Sequence, residues 1–135
     1  MYSLVLHDDA VRDLDELWDT GREDAASLVE VFLEQAKVDQ GLLERLSDRR
    51  YRGRGVDVQS FEAFWPKGYN LYRLKLASLQ DLGLPYRVLY AFDPRIRRYY
   101  VLGVVHRDFD YKQDAPRTQR VLAAYRALDL PLYAG

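Results

Sequence analysis

The residues best suited to chemistry are the cations Arg73, Lys75, Arg87 and Arg107, set among runs rich in Tyr, Val and Leu. Strand alternation sorts them. In Asn70-Leu-Tyr-Arg-Leu-Lys-Leu76, Tyr72, Leu74 and Leu76 share one face while Arg73 and Lys75 share the other. In Tyr86-Arg-Val-Leu-Tyr-Ala-Phe92, Arg87 opposes Tyr86, Val88, Tyr90 and Phe92, and Arg107 leaves the next run on the parity of Val101 and Val105. Neighbouring strands lie about 4.8 Å apart, so coincident faces would gather these cations into one cluster. Eight of the eleven tyrosines fall between Tyr51 and Tyr111, interleaved with the basic residues. Cations for phosphates with aromatic rings for bases is the make-up of a single-stranded nucleic-acid surface. Tyrosine is also a good strand former, so the same rings suit a sheet face or a core.

The elements that must position these groups follow from periodicity. A short strand is expected over residues 3–6, with Asp8 or Asp9 as the N-cap of a helix through residue 19 carrying Val11, Leu14, Leu17 and Trp18. A longer helix is expected over residues 22–46, its apolar stripe including Ala25, Val29, Leu33, Ala36, Leu43 and Leu46. So short a connection implies an antiparallel helical hairpin. A basic, glycine-punctuated loop follows over residues 47–55, and it holds Arg50, Arg52 and Arg54. Strands are expected over residues 56–64, 69–77, 86–92 and 99–105, with a loop over 78–85 and a final helix over 116–128. The reading is one α+β domain: an N-terminal helical hairpin on a twisted antiparallel sheet of about four strands, with a C-terminal helix.

Composition sets the limits. The chain has 135 residues, no cysteine and two histidines, His7 and His106, so disulfides, thiolate metal sites and cysteine nucleophiles are excluded. His7, beside Asp8 and Asp9, suits a helix start. No apolar run approaches the ~20 residues of a membrane span, and nothing at the N-terminus reads as a signal peptide; a soluble cytoplasmic protein is expected. The net charge of −1 hides opposed segments: −9 over residues 1–48, +8 over 49–107 and zero beyond. Such asymmetry fits a polyanion-facing surface backed by an acidic one, and equally fits solvated faces joined by salt bridges.

In order and spacing, Leu71-Tyr-Arg-Leu-Lys75, Tyr86-Arg-Val-Leu-Tyr90 and Val101-Leu-Gly-Val-Val-His-Arg107, with Tyr111 four residues on, make the chain similar to the RelE/ParE superfamily of bacterial type II toxin–antitoxin toxins. The resemblance covers nearly the whole chain. It implies an endoribonuclease that cuts messenger RNA, typically at the ribosome, through attack of the substrate 2′-OH on the adjacent phosphate, with no metal or other cofactor. It further implies a cognate antitoxin as partner, contact with DNA only through that antitoxin, and no membrane. The same fold also serves toxins that inhibit DNA gyrase without cutting RNA, and an inactive antitoxin-binding module would share it. By motif position, Arg87 and Arg107 would hold the phosphate, with Arg73 or Lys75 at the other basic corner. Tyr111 would orient the substrate or move a proton, and His106 is a further candidate acid or base. Arg50, Arg52, Arg54 and Tyr72 are expected to touch RNA. Asp108 and Asp110 lie beside this site in sequence and would repel RNA unless paired with Arg107 or Lys112.

Overall fold

A computed structural model describes residues 1–112 and 114–133 of the chain. The first strand, β1 (Ser3–Leu6), leads into α1 (Asp8–Asp19). The cap of α1 is His7, whose imidazole Nδ1 accepts the Asp9 N–H at 3.0 Å, while Asp8 and Asp9 sit in the first turn against the helix dipole. Ala10, Leu14 and Leu17 form its buried stripe. Val11 and Trp18, expected in that stripe, are instead exposed by 44% and 40%, and the Trp18 indole donates to Glu30.

The long second helix is interrupted. Helix α2 (Glu23–Lys37) ends before Val38, and α3 (Gln40–Arg45) restarts the chain. Asp39 causes the break: its carboxylate accepts the Leu42 N–H at 3.0 Å, a capping bond that competes with helix continuation. The connection between α1 and α2 turns at Gly21, whose φ of +81° favours glycine.

The sheet has six strands in the order β1-β6-β5-β4-β3-β2, where β2 is Arg52–Gly53, β3 Val56–Ser60, β4 Leu71–Leu76, β5 Tyr86–Asp93 and β6 Arg98–His106. It is mixed, which corrects the expected four-stranded antiparallel sheet: β1 runs parallel to β6, and every other pair is antiparallel. Parallel pairing of β1 with a strand 95 residues further along the chain is a tertiary event that local pattern does not encode. The two-residue β2 lies within the basic loop, too short to show a period. The run from residue 56 leaves the sheet after Ser60, and a 3₁₀ turn, Trp65–Lys67, precedes β4. The first half of the expected loop after β4 is helical, as part of α4 (Ala77–Asp81), and Leu79 and Leu84 are buried there.

Each face of the sheet has its own core. Tyr72, Leu74, Leu76, Val88, Tyr90, Phe92, Tyr99 and Val101 pack under the α1–α3 layer. Leu71, Leu89, Ala91, Leu102 and Val105 pack with Phe61, Phe64 and Phe109 under the last helix, α5 (Pro116–Ala127). A register shift between Leu89 and Tyr90 exchanges the faces along β6, so Val101 shares a core with Val104 and Leu102 with Val105, and Val101 and Val105 do not share the face that uninterrupted alternation gives them. Among the described residues no helix is long and apolar enough to cross a membrane.

Candidate functional site

Strand pairing decides which cations meet. Arg73 pairs with Leu89 and Leu74 with Val88, so the continued register sets Lys75 opposite Arg87. Arg73, Lys75 and Arg87 therefore share the sheet face that carries Leu71, Leu89 and Ala91 toward α5. Lys75 also pairs with Asp57 on β3, and Arg73 with Gln59. Asp57 pairs in turn with Arg52 on β2, their side chains 3.4 Å apart. A cross-strand row thus runs Arg52, Asp57, Lys75, Arg87, and a second row holds Gln59 and Arg73.

The electrostatics reflect this crowding. Burial of its ammonium, then repulsion from Arg73 and Arg87, pushes Lys75 below the usual lysine pKa, with Asp57 opposing. Arg87 is lowered by burial first and then by Arg73, while Arg107 also repels it. Arg107 stands exposed just beyond β6, two residues past Val105, the partner of Arg87, with its N–H donated to the Pro85 carbonyl at 2.7 Å. The Gln59 side-chain oxygen accepts a hydrogen bond from the Arg73 guanidinium, which fixes that head on the surface.

Tyr111 reaches the same place from the segment after β6. Its ring meets Phe61 edge-on at 5.0 Å and Phe109 at 4.8 Å, so it is held rigidly. Burial raises its pKa, and Arg73 and Arg87 partly offset the rise. Next to Arg73, a groove of about 430 Å³ opens between Tyr111 and the segment from Gln59 to Phe64.

Other candidates are placed elsewhere. His106 pairs with Tyr86 across the strands and meets its ring edge-on at 5.7 Å, on the parity opposite Arg87. Its Nδ1 accepts the Asp108 N–H at 3.1 Å, and Asp108 Oδ2 lies 3.3 Å away. It faces α1 and α5 and not the cation rows. Tyr72, expected to touch RNA, is 2% exposed and packs parallel to Tyr90 at 5.3 Å; its hydroxyl bonds to Asn70 and the Ser47 carbonyl. A ring sealed in the core cannot stack on a base, and this corrects the expectation. Arg54 pairs with Asp39 at 2.6 Å, on the α3 side. Arg50 is exposed, and of the three loop arginines Arg52 joins the row, through Asp57.

Asp57 and Gln59 belong to no motif in the sequence. The alternation Val56-Asp-Val-Gln-Ser60 does put both on the face away from Val56 and Val58. Which cations they would face needed the pairing. Asp110 and Glu62 line the groove, and Asp110 Oδ1 accepts the Lys112 N–H at 2.9 Å.

A second pocket, of about 350 Å³, lies by Asn70 and Tyr72 at the start of β4, away from Lys75. It is lined by Trp65, Tyr69 and Phe92 and bordered by Tyr133, whose N–H donates to the Gly68 carbonyl at 2.8 Å. Arg49 stacks over Trp65 at 4.8 Å nearby. No protein-family model matches the chain, and no curated protein or solved structure matches it either, so a functional assignment must rest on the geometry of the cation-bearing face.

Proposed function

We propose that this chain is the toxin of a type II toxin–antitoxin system, an endoribonuclease of the RelE/ParE kind that cuts messenger RNA without a metal. The observation that carries this reading is the shared face of Arg73, Lys75 and Arg87, with Arg107 and Tyr111 at its border. Clustered cations repel one another and are relieved by an anion, and a phosphate is the anion such a fork-and-ammonium arrangement fits.

In this scheme Arg87, Arg73 and Arg107 hold the scissile phosphate and stabilise the charge that builds on its oxygens. Lys75, with its pKa lowered, serves as the base. Its neutral amine takes the proton of the 2′-OH as that oxygen bonds to phosphorus. The phosphorus–O5′ bond then breaks, leaving a 2′,3′-cyclic phosphate. Tyr111, kept protonated by its raised pKa, gives its proton to the departing 5′ oxygen. His106 has no part in this scheme. An acidic antitoxin segment would neutralise the same face and shut out RNA.

The test is induction of the chain in bacteria without antitoxin, followed by mapping of 5′-OH RNA ends. New ends are expected, and Arg87→Ala with retained folding should reduce them by about 10²–10³-fold. Growth arrest with no new RNA ends would overturn the assignment, and an accompanying SOS response would point to gyrase as the target.

A further inference from the structure

The groove beside Arg73 shares Arg73 and Tyr111 with the cleavage scheme, while its remaining wall, from Gln59 to Phe64, has no part in that scheme. We propose that it is a nucleobase subsite, taking the base of the nucleotide whose phosphate rests on the cation rows and discriminating against uracil. The inference rests on the nuclease reading for its ligand class and deepens it by naming what is recognised.

Three observations carry it. Arg73 belongs to both places: it stands in the cation cluster and lines the groove, so a phosphate held at Arg73 presents its own nucleoside there. The groove has aromatic walls, Phe61 and Tyr111, and the edge-on contacts of Tyr111 hold its ring in place. Its volume of about 430 Å³ lies toward the small end of the ~300–1,000 Å³ of small-molecule sites, which suits one base. Single-stranded nucleic acid is read in this manner, with a splayed base against aromatic side chains and its polar edge on a few fixed groups.

The polar groups set the preference. Two carboxylates, Glu62 and Asp110, line the groove together with Lys112, and both carboxylates are acceptors when ionised. The Gln59 oxygen is taken by Arg73, so Gln59 has its amide N–H groups to offer. Adenine, cytosine and guanine each present an exocyclic amino donor that a carboxylate can accept. Uracil flanks its single ring N–H with carbonyl oxygens, so a carboxylate approaching that edge meets acceptors.

The experiment titrates the folded chain with the 3′-monophosphates of adenosine, cytidine, guanosine and uridine, and with inorganic phosphate, following amide resonances of Glu62, Ala63 and Tyr111. The three amino-bearing nucleotides are expected to bind at least tenfold more tightly than the uridine nucleotide. Ala63 lines the groove and is exposed, so Ala63→Trp fills it without touching the core. In that variant the four affinities should fall to within twofold of inorganic phosphate, and Glu62→Gln should narrow the discrimination against uridine. Equal affinities in the unmodified chain, or discrimination that survives Ala63→Trp, would overturn the subsite and leave the nuclease reading to RNA-end mapping. Base discrimination in a chain that cuts no RNA would keep the subsite and overturn the nuclease reading.

Discussion

Lys75 lies opposite Arg87 across the strand pair, follows Arg73 by two residues along β4, and has one carboxylate, Asp57, paired to it from β3. Burial and like charge both favour its neutral form. A base is active when unprotonated, so RNA cleavage should rise with pH through a midpoint displaced below the ordinary lysine value, and fall again only where Tyr111, its pKa raised, loses the proton it must donate. Removing the opposing charge with Asp57→Asn should move that midpoint to lower pH, and Arg73→Gln should move it higher. A pH–rate profile measured on each variant checks both signs; a midpoint unmoved by either substitution would remove Lys75 as the base. His106 illustrates the converse. Its residue type suits proton transfer, but its parity turns it toward Tyr86 and the helices, one position out of phase with Arg87 and Val105.

At the level of elements, the part of the sheet that needs explaining is the far half of β6. Strand β1 covers β6 only from Arg98 to Val101. Beyond that, Asp13 from α1 accepts the Val104 N–H at 2.9 Å and receives both guanidinium arms of Arg120 from α5, at 3.0 and 2.7 Å. One carboxylate thus substitutes for a strand partner and ties together helices from opposite faces of the sheet. Gly103 leaves the room for it, since a Cβ there would lie 3.1 Å from both Asp13 and Arg120. Asp13→Ala should cost about 1–3 kcal/mol, because it leaves an edge N–H and a half-buried guanidinium without their acceptor. Asp13→Asn, which keeps an acceptor, should cost less; denaturant unfolding of the two variants measures the difference. In the sequence Asp13 reads as one more acid on a helix, for its partners stand 91 and 107 residues away.

Across the whole molecule, the acidic and basic segments lie on different layers: the hairpin covers one face of the sheet, and the cation rows occupy part of the other. On that face Arg52 is paired with Asp57, while among the described residues Arg73, Lys75, Arg87 and Arg107 make no ion pair, so an anion should stabilise the fold by binding the native state alone. Inorganic phosphate at saturating concentration is expected to raise Tm by about 2–8 °C. Chloride at equal ionic strength should do less, and Arg87→Gln should lose most of the gain; thermal unfolding in the three conditions tests it. Much of this was readable in advance. Apolar spacing located α2 and α5, Tyr and Val runs located β3 to β6, and alternation put Arg73 with Lys75, because these follow from local periods of 3.6 and 2. Residue order also separated the −9 and +8 segments. The fold itself decided that β1 pairs in parallel with β6, that Asp39 ends a helix, and that Tyr72 faces the core. It also decided that Arg87 meets Lys75 while His106 turns away. Those outcomes depend on register between distant strands, where a shift of one residue exchanges the two faces, and the chain chooses its register only by burying both cores at once.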